Sequence, residues 1–223
     1  MSKNILIVGA SGLVGGEILK NLKTTNNDLI LLSRKKLLCE NSINQIVIDF
    51  ENIDSLDASL KVDEIYIAIG QKLSLSELVY IKKNNRKSFV NVDYNYIKKV
   101  AEFAKKCGAS SIGLISAIGA NSKSFNTYLK VKGDVEQEIK LVGYKKIIIA
   151  HPSHLLGKRA GEDIPMNVKV FEQITNLFGL LMIGPLQKFR NVEAKKVAKA
   201  IISKMDSVEE GIHYIDYKYF KNF

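Results

Sequence analysis

Cysteine is scarce: Cys39 and Cys107 are the only two in 223 residues, one in a predicted loop and the other at a predicted helix end. So small a supply excludes a disulfide framework or a cysteine-rich metal site and leaves two free thiols. Long apolar runs are missing as well. None approaches the roughly 18 residues of a membrane span, and Met1-Ser2-Lys3-Asn4 leads into the first apolar run without a signal-peptide pattern. The expectation is a cytoplasmic protein that does not enter a membrane. Internal repeats and low-complexity linkers are also lacking, and the composition, 46% hydrophobic and 25% charged, is that of an ordinary soluble globular domain with a full core.

Acidic residues are in deficit, 23 against 33 Lys and Arg, which gives a net charge of +10. Such an excess attracts phosphate without regard to sequence. Its distribution argues against nucleic acid as a partner. The lysines fall in scattered doublets such as Lys35-Lys36, Lys82-Lys83, Lys105-Lys106 and Lys195-Lys196, mostly on the polar faces or ends of predicted helices, where solvated charge is expected. No basic-plus-aromatic stacking motif and no zinc-finger spacing accompanies them. A small-molecule substrate is the expected partner, and the protein is expected to be a monomer or a homodimer.

What the chain does have is alternation. Short apolar runs alternate with amphipathic, helix-length segments, the pattern of parallel strands joined by crossover helices. Strands are predicted at about 4–8, 28–32, 45–48, 63–68, 111–115, 146–150 and 212–216, and the clearest helices at 12–23, 89–107, 125–142 and 192–205. The fold class is α/β, a doubly wound, mostly parallel sheet, in one domain spanning 1–223. Residues 157–190 break the rhythm with Gly157, Gly161, Pro165, Gly179, Gly184 and Pro185 around a helix-like stretch from Val168 to Phe178. An insertion after a late strand sits over the carboxyl ends of the sheet, where ligands bind, so this segment is expected to be a small C-terminal substrate lobe. A structural excursion without substrate contact is the alternative.

The most informative motif follows the first strand. Ile5-Leu6-Ile7-Val8 breaks into Gly9-Ala10-Ser11-Gly12-Leu13-Val14-Gly15-Gly16, which opens a helix at Glu17-Ile18-Leu19. Strand, glycine turn and helix in that order let backbone N–H groups and the positive end of a helix dipole hold a pyrophosphate. Gly9 permits the tight turn, Gly12 lets the backbone approach phosphate, and Gly15 lets the helix lie against the strand. The first gap is one residue longer than in the usual fingerprint, and glycines also end strands for purely structural reasons.

The second strand ends Leu31-Leu32-Ser33-Arg34-Lys35. Ser33 occupies the position where an NAD-specific fold carries an acidic residue, so no carboxylate there repels a 2′-phosphate. Arg34 can stack on adenine and pair with that phosphate through its planar fork, with Lys35 adding charge, so NADP(H) is expected over NAD(H). Asp49, before Phe50, is either an acceptor for the adenine amino group or an ordinary loop carboxylate. Ala68-Ile69-Gly70 ends the fourth strand with small residues where a cofactor ribose would pass. Tyr128 and Lys132 lie four apart on a predicted helix and therefore on one face, where the ammonium is expected to lower the phenol's pKa toward the range of acid/base catalysis. Ser116, just past the strand 111–115, supplies a hydroxyl for a substrate oxygen.

These segments together resemble the short-chain dehydrogenase/reductase superfamily, and most closely its atypical branch around the human Tat-interacting oxidoreductase-like protein. The likeness covers nearly the whole chain, through the glycine turn, Leu32-Ser33-Arg34, Asn91-Val92-Asp93-Tyr94, Leu114 to Ala120, Tyr128 to Glu136, and Pro152 to Gly157. It implies a Rossmann-like fold and a Ser116-Tyr128-Lys132 triad, with Lys132 also holding the nicotinamide ribose. It further implies that Pro152, Ser153, His154 and Leu155 pack against the nicotinamide carboxamide. His151 departs from the pattern, since relatives often carry Arg before Pro-Ser. The expected function is NADP(H)-dependent hydride transfer to or from a small carbonyl or alcohol. A cofactor-binding regulator with little turnover is the main alternative, and a nucleotide-sugar epimerase or dehydratase using the same triad ranks lower.

Overall fold

The computed structural model describes residues 2–39, 43–157, 184–207 and 209–223. Its centre is a seven-stranded sheet: β1 (Asn4–Val8), β2 (Asp28–Ser33), β3 (Asn44–Val47), β4 (Glu64–Ile67), β5 (Ser111–Ile115), β6 (Lys146–Ala150) and, last in the chain, a strand at Gly211–Ile215. The spatial order is β3-β2-β1-β4-β5-β6 followed by the Gly211–Ile215 strand, and every pairing is parallel. All seven predicted strands are present, within a residue or so of their predicted bounds.

A parallel sheet is buried on both faces, so its strands need apolar side chains in both directions. Ile5, Leu6, Ile7 and Val8 are all essentially inaccessible. Leu6 and Val8 enter a core with Ile97, Val100 and Phe103 on one face, while Ile5 and Ile7 pack with Ile18, Val197 and Ile201 on the other. The first face is covered by α4 (Ile97–Lys106) and α5 (Thr127–Leu141), while α3 (Lys83–Val90) buries Phe89 in a separate cluster with Val131 of α5. The second carries α1 (Leu13–Leu22), α6 (Ala194–Met205) and α7 (Tyr217–Phe220). A short α2 (Leu75–Val79) begins on a capping box between Ser74 and Glu77, which satisfies two leading N–H groups at once.

Two features depart from the expected pattern. The helix predicted at 89–107 runs from Lys83 to Lys106, and between α3 and α4 it passes through a π-helical turn, Asn91–Tyr96. Such a turn inserts one extra residue and rotates the following side chains; here Asp93 lies within it, fully buried. The second concerns the expected lobe. Of 157–190, residues 158–183, including Val168 to Phe178, lie outside the described residues. Its two flanks meet: β7 (Leu155–Leu156) pairs with β8 (Val192–Glu193) in a two-stranded parallel ladder, so the segment leaves and returns at one point of the fold. The remaining strand, Gly211–Ile215, is β9.

Candidate functional site

In a doubly wound sheet the ligand crevice lies outside the carboxyl ends of the strands where the order reverses, here between β1 and β4. A cleft of 840 Å³ opens at that place. Gly9, Ser11, Gly12, Leu13 and Val14 of the glycine turn line one part of it, and Ser33, Arg34, Lys35 and Phe50 line the part beyond β2 and β3. Ala68, Ile69 and Gly70 form its floor after β4, with Ser116, Tyr128, Lys132 and Leu155 around the remaining wall. The other residues named from sequence stand outside the lining. Gly15 lies under the turn. Asp49 is exposed, and its carboxylate caps the following 3-10 turn by accepting from the Glu51 N–H at 3.2 Å. Pro152 accepts from the Ile118 N–H, the His154 carbonyl from the Val192 N–H, and Ser153 Oγ donates to the Arg190 carbonyl, so all three brace loops beside the cleft.

Gly9 has φ +94°, and a Cβ there would lie 2.5 Å from the Ala68 carbonyl oxygen. A Cβ on Gly15 would lie 2.1 Å from the Gly9 carbonyl oxygen, so α1 approaches the turn as closely as backbone allows. Gly12 is the N-cap of α1 and offers no side-chain acceptor to its leading N–H groups. Those donors and the helix dipole suit an anion. Ser33 Oγ is engaged with the Lys35 carbonyl at 2.7 Å, which shapes the turn that carries Arg34 and Lys35 into the lining. Phe50 meets Tyr96 edge to face at 5.7 Å, and Tyr96 also lines the cleft.

The wall opposite is organised by α5. Asn126 caps it, accepting from the Leu129 N–H at 3.0 Å, and its amide donates to the carbonyls of Leu78 and Val79. A Cβ on Gly133 would sit 2.2 Å from the Ser122 nitrogen, so the helix lies directly on the 121–122 loop. Tyr128, Lys132 and Glu136 then follow at four-residue intervals on one face. Lys132 Nζ pairs with Asp93 Oδ1 at 2.7 Å, both side chains being almost wholly buried. Asp93 Oδ2 also accepts from the Gln71 N–H at 2.7 Å. A Cβ on Gly70 would lie 3.1 Å from Asp93 Oδ1, so glycine there lets the loop pass over the pair.

This ion pair corrects one expectation. Burial pushes the Tyr128 phenol above its ordinary value; Lys132 acts in the opposite sense without prevailing, and Asp93 adds to the rise. Burial acts to lower the Lys132 ammonium, but the charges of Asp93, Tyr128 and Glu136 and the Asp93 hydrogen bond together hold it above its usual range. Burial, with the Asp93 charge beside it, therefore outweighs the ammonium, and the resting site contains a phenol and not a phenolate. Ser116 also differs from expectation: its Oγ donates to Glu136 Oε1, and His151 Nε2 lies 2.8 Å from the same oxygen. Glu136 and Asp93 were assigned no role from sequence. The four-residue spacing from Tyr128 through Lys132 was the available signal for Glu136; Asp93 stood in the segment Asn91-Val92-Asp93-Tyr94 that carries the resemblance, but nothing in it gave the direction the π turn imposes.

No protein-family profile matches the chain. It is 32% identical to the rat protein HTATIP2 over 165 residues, 71% of this chain and 65% of that one, so the match spans just under two thirds of the rat protein. It is 30% identical to the mitochondrial protein FMP52 of Lodderomyces elongisporus over 176 residues, 71% of this chain and 69% of the relative. Among solved structures, the ligand-free aldohexose dehydrogenase of Thermoplasma acidophilum superimposes with a TM-score of 0.71 at 17% identity, covering 97% of this chain and 93% of that one. That likeness establishes the Rossmann-like fold. The fungal relatives correct the expectation of a cytoplasmic protein: FMP52 proteins are mitochondrial by name. Among the described residues, no helix is long and apolar enough to cross a membrane.

Proposed function

The chain belongs to the family of HTATIP2 and FMP52, an atypical branch of the short-chain dehydrogenases/reductases with an NAD(P)-binding oxidoreductase fold, and from that membership we propose that it is an NADP(H)-dependent oxidoreductase acting on a small alcohol or carbonyl. One observation carries the reading: a single cleft holds an uncapped helix N-terminus and three cations, Arg34, Lys35 and Lys36, at one end and a phenol, an ammonium and a buried hydroxyl at the other. Gly12, Leu13 and Val14 would hold the pyrophosphate, Arg34 and Lys35 the 2′-phosphate, and Lys132 the nicotinamide ribose. Bound there, the nicotinamide supplies or takes up hydride. Tyr128 and Ser116 contact the substrate oxygen, and the phenol gives its proton to a developing alkoxide. The substrate lobe is assigned to 157–190.

The test is a thermal-shift comparison of NADPH, NADH and no cofactor. Binding raises the midpoint by mass action, and NADPH is expected to raise it more; a preference for NADH overturns the assignment of Arg34. Tyr128→Phe is expected to keep the NADPH shift and abolish turnover. A cofactor-binding regulator is the second reading, favoured by the Asp93 carboxylate that already partners Lys132. For that protein Tyr128→Phe leaves signalling unchanged.

A further inference from the structure

Two stretches of chain meet beside the phenol, and their charge differs from that of the rest. Residues 71–92 and 117–130 together hold seven Lys and Arg against a single acidic residue, Glu77, whereas the whole chain has 33 against 23. Lys82, Lys83, Lys87 and Lys123 are exposed. Glu77 is engaged locally, its carboxylate accepting from Ser74 and from the Asn85 amide. Asn126 ties the two stretches together, its amide donating to the carbonyls of Leu78 at 2.9 Å and Val79 at 3.0 Å. Around that contact large apolar side chains stand open to solvent: Phe125 is fully exposed, Val79 76% and Tyr80 58%. The Arg86 guanidinium lies 5.5 Å from the centre of the Tyr80 ring, and its Nε donates to the Ile81 carbonyl at 3.0 Å. Solitary exposed apolar residues are ordinary, but three gathered at one amide form a patch.

We propose that this face docks on a bilayer containing anionic phospholipid. Val79, Tyr80 and Phe125 enter the boundary between headgroups and acyl chains, and the cations of the two stretches lie at the lipid phosphates. Behind the patch the packing is closed: Ile81 and Phe89 are buried with Val131, and Leu73 and Tyr128 pack against them, the Phe89 and Tyr128 rings being 5.9 Å apart. The tips therefore project from a packed base. Gln71 and Tyr128 of the same two stretches line the cleft, so docking brings that wall of the cleft to the lipid surface. The contact is with one leaflet and needs no spanning helix, and it is independent of the redox chemistry proposed above.

The composition of the face selects lipid over other anionic partners. A bilayer interface takes aromatic and aliphatic tips into its apolar layer and basic groups at its headgroups, and each Lys or Arg near an anionic surface adds to the attraction. Six of the seven cations are Lys, a residue depleted at protein–protein interfaces, where Arg is enriched instead. Nucleic acid supplies phosphates but no apolar layer for Val79.

The test is cosedimentation of the whole chain with vesicles of phosphatidylcholine alone and of phosphatidylcholine with about a third phosphatidylserine, at about 0.1 and 0.5 M salt. Affinity for the anionic vesicles is expected to exceed that for neutral ones by roughly 10-fold or more and to fall at the higher salt. Phe125→Ser with Tyr80→Ser, and separately Lys82→Glu with Lys83→Glu, are each expected to weaken binding about 10-fold with the thermal midpoint nearly unchanged. Lys195→Glu with Lys199→Glu, the same change of charge on α6 across the sheet, should leave it almost intact. The chain has no tryptophan, so Phe125→Trp reports insertion alone: its emission should move to the blue and be quenched by lipid brominated in the acyl chains. Wild-type protein that ignores anionic vesicles overturns the proposal, as does an unquenched tryptophan. An equal loss in the α6 variant is the mark of adsorption by net charge and overturns it too. A single-stranded oligonucleotide bound more tightly than the vesicles, and released by Phe125→Ser with Tyr80→Ser, gives the face to nucleic acid instead. A thermal midpoint that falls by several degrees in Phe125→Ser shows the ring covered by the protein's own chain and likewise overturns docking. Every readout is free of turnover, so the oxidoreductase reading stands or falls separately.

Discussion

Asp93 carries a buried charge on a turn with one residue more than an α-helix allows, and both facts act on Lys132. Breaking a buried ion pair by removing one partner costs about 3–5 kcal/mol because the other charge is left uncompensated. Asp93→Asn is therefore expected to lower the urea midpoint strongly at pH 7. The pH dependence follows from the direction of the shifts. Lys132 in the folded protein lies above its ordinary 10.5, so the stability it contributes is fully present below that pH and is lost as pH rises through the raised value. Tyr128, also raised, loses its contribution in the same direction above its ordinary 10.0. Wild-type protein should hold its neutral-pH stability up to about pH 10 and lose it above; in Asp93→Asn, with the main group that holds the ammonium up removed, burial shifts Lys132 downward, so part of the stability lost at pH 7 should return as pH rises toward 10. Unfolding curves from pH 7 to 11 check both. At this scale the sequence was only half legible. Ser116, Tyr128 and Lys132 could be picked out by spacing, but the direction in which Ser116 spends its hydrogen depends on Glu136, twenty residues away. Burial, rather than the neighbouring ammonium, governs the phenol, and burial is a property of packing.

The strands were readable because a sheet covered on both faces demands apolar residues in succession, and Ile5 to Val8 and Ile147 to Ala150 supply them. The helices were readable from their apolar faces, except where the ladder of hydrogen bonds slips at Asn91–Tyr96; no composition marks an i→i+5 turn. The glycine turn is the element most exposed to test. Gly15→Ala places a methyl 2.1 Å from the Gly9 carbonyl oxygen, a backbone atom that cannot yield without moving α1 off β1. A loss of about 3 kcal/mol or more is expected on the scale of severe overpacking, together with loss of the NADPH thermal shift. A variant that is fully stable would show that the helix can slide. Gly16→Ala, whose nearest contact is 3.3 Å, is the milder comparison.

The charge of +10 is spread over many surface lysines, and among the described residues only Arg34, Lys35 and Lys36 bring it to the lining of the cleft alongside the buried Lys132. If Arg34 and Lys35 read a 2′-phosphate, the double variant with both changed to Ala should weaken NADPH binding about 10–100-fold, 1.4 kcal/mol per decade, and leave NADH almost untouched. The wild-type preference should also shrink between 0.05 and 0.5 M salt, because exposed cations are screened over a Debye length. Fluorescence titration of both nucleotides measures each. Equal losses for the two would place these cations on a phosphate they share. Fold class was legible at this scale because it depends on alternation, while compartment was not, since it depends on recognition by other machinery.

The ladder between Leu155–Leu156 and Val192–Glu193 gives the molecule a socket. Both ends of the intervening stretch are clamped at one spot, next to Leu155 in the cleft wall and beside Leu13 at the head of α1, which lies within 3.4 Å of a Cβ built on Gly157. With the ends already joined, doubling the length between them adds only about 0.6 kcal/mol of closure entropy. If 158–183 supplies the substrate side of the cleft, as proposed, a chimera carrying a foreign segment there should keep the NADPH thermal shift and acquire a different appetite.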